Sequence, residues 1–131
     1  MSPLVVLDSH IWFWWIDLEH HRIPTSMLAE IESAPRIGIS PISCYELALA
    51  HHRRRLELPS PPRQWFPFAL EGSGIELLPL TSEISARAVE LSEIHRDPFD
   101  RMLVAQARVE NLPLLTVDTH VLQYPANVIE G

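Results

Sequence analysis

The chain contains no lysine; all ten of its basic residues are arginine. That absence removes a Walker A phosphate loop, and it weighs against a receiver-type signalling domain, which needs a lysine after a late strand. Glycine is scarce too. None of the four glycines stands in a G-x-G-x-x-G string, so a dinucleotide-binding Rossmann domain is excluded. A single cysteine, Cys44, rules out an internal disulfide framework and fits a reducing compartment. It is poorly placed as a nucleophile, because a tyrosine-phosphatase loop needs arginine six residues on, where this chain has Ala50. Cys/His spacing for zinc is missing. Near the start the longest apolar run, Ile11 to Ile16, covers six residues, whereas a membrane span needs about 20. Met1-Ser2-Pro3-Leu4 lacks the positive n-region of a secretory signal. These absences lead us to expect a cytoplasmic protein with no membrane association.

What is present suits one globular domain over residues 1–131. Apolar residues make up 47% and charged residues 21%, ordinary usage for a folded chain. The formal charge of −7 excludes a general electrostatic clamp on nucleic acid. Arginine nonetheless grips phosphate bidentately. Five residues are aspartate, at 8, 17, 97, 100 and 118, and four of them fall where elements should begin or end.

Leu4 to Leu7 is a continuous apolar run ending in Asp8, the pattern of a strand covered on both faces. An apolar helix is expected over residues 9–17, a second from Pro24-Thr25-Ser26, and a short strand over 37–40. After Pro41 a helix should run from about Ser43 to Leu56, stopped by Pro59, Pro61 and Pro62. A helix over 65–70, a strand over 75–80 and a helix over 81–94 follow. Asp97-Pro98 opens another helix through about Glu110, with Phe99, Leu103, Val104 and Ala107 inward. Leu114 to Val117 reads as a strand ending at Asp118, and 127–129 as a last short one. Strands alternating with helices make βαβ units: an α/β/α sandwich with a mostly parallel sheet of four to five strands.

In open α/β sheets, ligands bind beyond the carboxyl ends of the strands at a topological switch point. Asp8 and Asp118 each follow a strand, Asp97 and Asp100 share a first helical turn, and Glu46 lies early in the helix after the second strand. Five carboxylates from four segments can therefore meet on one rim. Such a cluster repels itself and calls for a cation, and oxygen donors suit Mg²⁺ or Mn²⁺. Each acid also has a purely local reading. Asp97 before Pro98 is a good N-cap, with Asp100 at N3. Ser43 to Glu46 has the form of a capping box, and Asp8 and Asp118 could cap helices. His10 and His120, each two residues past a strand-end aspartate, could assist the chemistry as titratable groups, but read rather as caps or as donors that tie down loops.

Asp8 after LVVL, Glu46, the string HRDPFDRMLVAQA (95–107) and LLTVD (114–118) together resemble PIN domains, and more narrowly the VapC-type ribonuclease toxins of toxin–antitoxin pairs. The likeness runs along essentially the whole chain, and DPFDR…AQA is its most specific part. It implies a parallel sheet between helices, an acidic pocket for Mg²⁺ or Mn²⁺, metal-dependent cleavage of RNA, and a cognate antitoxin. Asp8, Glu46 and Asp118 match the family's first, second and fourth acidic positions. The third falls to Asp100 or Asp97, with Asp100 favoured by us. Thr116 resembles the small hydroxyl residue before the last aspartate, which can hydrogen-bond a ligand.

The expected chemistry is phosphodiester hydrolysis, with Asp8, Glu46, Asp100 and Asp118 as catalytic and metal-binding residues and Asp97 as a further ligand. Arg53, Arg54 and Arg55 follow Glu46 by about two turns, or roughly 10.5 Å, and would grip flanking RNA backbone; the other reading is cations at a helix C-terminus. Arg96 and Arg101 would pair with the neighbouring aspartates or with phosphate. The run Ile11 to Ile16 is apolar around its whole helical circumference, so it is either a buried helix or one covered by a second subunit or the antitoxin. A homodimer is expected. The alternatives to an enzyme are an inactive PIN-like binding module and a receiver-like Mg²⁺-binding domain.

Overall fold

The computed structural model describes residues 4–91, 97–118 and 128–129. Its centre is strand β1 (Leu4–Leu7), all four residues of which are buried. Side chains alternate along a strand. Val5 and Leu7 therefore enter one hydrophobic layer, and Leu4 and Val6 the other.

β1 pairs in parallel with β2 (Arg36–Ile39), from Leu4 opposite Arg36 to Leu7 opposite Ile39. On its other side it pairs with β4 (Leu114–Leu115), Val6 opposite Leu114. β3 (Glu76–Leu77) and β5 (Val128–Ile129) complete a sheet of order β3-β2-β1-β4-β5 whose pairs are all parallel. The chain leaves β1 toward β2 and later returns to the opposite side of β1 as β4, so the topological switch point lies at β1.

One face carries α1 (Ser9–Ile16), α2 (Thr25–Ser33), α4 (Pro62–Leu70) and the inner side of α3 (Pro41–His52), through Ile11, Trp12, Met27, Ile31, Leu47 and Trp65. The other face carries α6 (Pro98–Val109), through Leu103, Val104 and Ala107. Outside it lies α5 (Ser82–Glu90), with Ile84 and Ala88 packed against Ala105. Gly38 in β2 leaves the space that Leu78 fills, since a Cβ there would lie 2.9 Å from Leu78 Cδ1.

Several boundaries differ from expectation for local reasons. α3 starts at Pro41 rather than Ser43: proline occupies the first helical position, and Ser40 Oγ caps it by accepting from the Ile42 amide at 3.1 Å. The Ser43–Glu46 capping box is thereby overturned. Ser43 is buried inside the helix, and Glu46 falls in the second turn, free of any cap. Likewise Pro62 opens α4 instead of closing the helix before it. Phe99 does not face inward; it is 37% exposed and its ring packs on Tyr45. β3 and β4 are shorter than the apolar runs that signalled them. The helix expected over 81–94 ends at Glu90, with Leu91 already extended; residues 92–94, Arg96 and His120 lie outside the described residues.

With glycine scarce, helix ends fall on other residues. Leu18, Arg54 and Asn111 have φ of 57°, 58° and 53°. Each sits one residue past a helix cap, where the chain reverses and the next amide returns to the last turn. Arg55 N donates to Ala50 O at 2.9 Å, Glu19 N to Trp14 O at 2.8 Å and Leu112 N to Ala107 O at 2.8 Å. This turn ends α3 at His52, short of Leu56, and splays the three arginines. The aromatic run of α1 is covered largely from within: Trp12 lies 5.2 Å from Trp65 and 6.0 Å from Phe66, centroid to centroid.

Candidate metal and nucleic-acid site

At the carboxyl end of β1, Asp8 caps α1, its Oδ1 accepting from the Ile11 amide at 3.0 Å. Its Oδ2 accepts the hydroxyl of Thr116, which follows the neighbouring strand β4. The same Thr116 oxygen accepts from the Asp118 amide at 3.0 Å. One buried hydroxyl thus links the aspartates at the ends of β1 and β4. Asp8 is 4% exposed. Burial pushes its carboxyl above the usual range, while the Thr116 hydroxyl, the Ile11 and Val117 amides and the charge of His10 partly offset that.

α6 delivers two more carboxylates. Asp97 is its exposed N-cap, accepting from the Phe99 amide at 2.8 Å. Asp100, one turn inside, is only 6% exposed. Glu46 arrives from α3. Its carboxyl is pushed up to about 8, chiefly by burial and then by the negative charges of Asp100, Asp8, Asp97 and Asp118, in that order. Geometrically, Asp8 and Asp118 are joined through Thr116 at the ends of β1 and β4, Asp97 and Asp100 lie at the start of α6, and Glu46 and Asp97 line one groove. Among the described residues no three acidic, imidazole or thiol side chains are grouped closely enough to hold an ion by themselves. An ion here would take one or two carboxylates directly and reach the others through its own waters, the habit of Mg²⁺.

Beside the acids runs a groove of about 530 Å³ between α1 and α3, lined by Glu46 and Asp97 and also by Arg53 and Arg55. Arg54 instead faces a second hollow with His51 and His52. Arg101 follows Asp100 on α6 and reaches α5. Its guanidinium donates to the carbonyls of Ala88 at 3.1 Å, Val89 at 3.3 Å and Leu91 at 2.7 Å, closing the carboxyl end of α5. These bonds give Arg101 a structural task in addition to the phosphate contact expected of it. Burial raises the Cys44 thiol to about 11, which keeps it protonated and a poor nucleophile.

Two residues escaped the sequence reading. Gln106, in the AQA string, is buried, and its Nε2 donates to Leu78 O at 3.0 Å and Pro79 O at 3.2 Å, fixing α6 to the segment after β3. A polar residue among the apolar inward positions of α6 was its available signal. Arg22, on the same groove as Arg53, had none, because sequence separation hid the approach of its loop to α3.

Residues 5–127 match the family model for the PIN domain. The chain is 32% identical over 115 residues to Ribonuclease VapC22 of Mycobacterium tuberculosis, covering 87% of this chain and 86% of that protein. Solved structures share its fold. VapBC2 from Rickettsia felis, bound to a DNA fragment from its promoter, superposes with a TM-score of 0.68 at 19% identity, over 98% of this chain and 97% of that one. A toxin–antitoxin complex from Klebsiella pneumoniae gives 0.65 at 20% identity, over 95% of each chain. Whole-length family match, curated relative and acid-rimmed parallel sheet agree: this chain belongs to the PIN-domain family, in its VapC-type branch.

Proposed function

We propose that the chain is an endoribonuclease that hydrolyses RNA phosphodiester bonds with a divalent cation, and that it is the toxin of a toxin–antitoxin pair. The observation that carries this reading is the pair of strand-end aspartates, Asp8 and Asp118, joined through Thr116 beside a groove that Glu46 and Asp97 line. The donor set is all oxygen and excessively negative, so it fits Mg²⁺ or Mn²⁺. A bound cation supplies charge neutralisation at phosphate and a lowered pKa for water.

Asp8 and Asp118 are the main ligands in this reading, with Glu46 and Asp100 holding coordinated water or a second ion. Asp8 accepts from the Ile11 amide and the Thr116 hydroxyl on separate oxygens, and with the Val117 amide beside them still has lone-pair capacity for a cation. Asp100 is favoured over Asp97 because it is buried and is the strongest charged influence on Glu46. Thr116 holds Asp8 rather than meeting substrate directly. Arg53 and Arg55 grip the RNA backbone beside the acids, with Arg54 farther along.

The name of the mycobacterial relative supports the ribonuclease assignment, and a fold-mate solved as a toxin–antitoxin complex supports an antitoxin partner. Cytoplasmic action follows from an RNA substrate; no helix among the described residues is long and apolar enough to cross a membrane. A homodimer, or the antitoxin, would cover the exposed Leu18 and Phe68 beside Trp15.

RNA cleavage by wild type and Asp8→Asn, with Mg²⁺ and with EDTA, tests the core. We expect a loss beyond about 100-fold for the variant, since even groups that merely orient metal ligands cost 10–100-fold. Cleavage that persists in EDTA, or equally in the variant, would overturn the reading. Metal-dependent stabilisation without turnover would favour an inactive binding module.

A further inference from the structure

We propose that Tyr45 and Phe99, in the groove between α1 and α3, form the platform on which the base beside the cut phosphate stacks. The proposal rests on the ribonuclease reading above and names the residues that seat the base.

Tyr45 immediately precedes Glu46 on α3, and Phe99 lies between Asp97 and Asp100 at the start of α6. Their rings meet across the two helices, with centroids 4.8 Å apart and planes inclined by 30°. Neither ring is part of the core: Tyr45 is 49% exposed and Phe99 37%. Both line the same groove as the two acids. Two large rings held together at the surface, beside a concentration of negative charge, form an apolar spot where phosphate alone would be repelled. Bases of a single strand carry π-faces that stack on such rings whatever their sequence.

The rest of the groove fits the same occupant. Arg53 and Arg55 approach from the end of α3, Arg22 from the loop after α1, and Trp14 forms part of the wall. Arg53 lies about two helical turns, or roughly 10.5 Å, from Glu46 along α3, so it meets a phosphate beyond the one being cut. Aromatic surface beside the acids and arginine farther out is the arrangement a flexible strand needs: stacking holds it where charge opposes it, and charge holds it elsewhere. Paired RNA is excluded by its own geometry, because its bases are stacked inside the duplex and cannot reach the rings.

The test uses the full chain and an RNA oligonucleotide carrying 2-aminopurine next to the cleavage site, single-stranded or annealed to its complement. Binding is followed in the cleavage-silent Asp8→Asn background, and steady-state cleavage in the otherwise wild-type chain. We expect fluorescence quenching on binding the single strand and none with the duplex. Tyr45→Leu and Phe99→Leu, which keep apolar volume, should weaken binding and raise KM by about tenfold each, with kcat less affected; Tyr45→Phe should behave as wild type. Unchanged affinity and KM in both leucine variants, or equal cleavage of the duplex, would overturn the proposal. Cleavage without quenching defeats the platform and spares the ribonuclease. Quenching that Tyr45→Leu abolishes, without any cleavage by wild type, supports the platform and defeats the ribonuclease.

Discussion

The hydroxyl of Thr116 donates to Oδ2 of Asp8, joining residues 108 positions apart in sequence. Since the same oxygen accepts from the Asp118 amide, it sets the spacing of two strand-end aspartates. Thr116→Val keeps the shape and removes both bonds. We expect it to cost about 1–3 kcal/mol in urea unfolding, the usual penalty for leaving a buried group unpaired, and to impair RNA cleavage. Thr116→Ser should retain both properties. Full activity in Thr116→Val would remove the positioning role.

Glu46 should make stability fall with rising pH when divalent cations are absent. Its folded pKa of about 8 stands above the ordinary 4.5. Between these values the folded state therefore binds more protons than the unfolded one, and stability declines through that window. At one pKa unit per about 1.4 kcal/mol, Glu46→Gln should gain on the order of 2–4 kcal/mol at pH 8 and nothing at pH 4. Thermal melts in EDTA across this range measure it; a variant curve parallel to wild type contradicts the clustering of acids.

Arg101 and the arginines after α3 should separate cleanly in experiment. Arg101→Ala uncaps three carbonyls at the end of α5 and should lower stability by about 1–3 kcal/mol while leaving KM for RNA unchanged. Arg53→Ala and Arg55→Ala, on exposed side chains, should do the reverse: an unchanged Tm, a higher KM and a shallower dependence of binding on salt. A raised KM in stable Arg101→Ala would show the expected phosphate contact beside the structural one.

Leu18 holds a left-handed backbone while 80% exposed. A non-glycine residue there costs roughly 1–2 kcal/mol, and glycine returns part of that gain through its own chain entropy. Leu18→Gly should thus stabilise the chain by about 0.5–1 kcal/mol in chemical denaturation, and a loss would show that Leu18 packs against more of the molecule than its exposure indicates.

Short-range physics was legible in the sequence wherever one residue type has one structural use. LVVL could only be a strand covered on both faces, proline before a polar-apolar run marked helix starts, and aspartates ending strands marked the rim. Where two short-range rules competed, the reading went astray: Ser40-Pro41 and Ser43–Glu46 are both cap signals, and only packing of Ser43 into the interior selected the first. Phe99 misled for a related reason, because helical periodicity assigns a face without telling whether another element covers it.

By itself, the order of residues determined the βαβ alternation, the family and the identities of the acids, because those depend on local pattern and on side-chain chemistry. Tertiary structure alone decided which of them touch. Placing β4 beside β1 is what lets Thr116 reach Asp8, the left-handed turn at Arg54 after α3 spreads three adjacent arginines over two hollows, and docking α6 on α5 brings Arg101 to the carbonyls of Ala88, Val89 and Leu91. Such contacts join positions tens of residues apart, and they arise from burial of apolar faces summed over the whole chain, a quantity no local stretch contains.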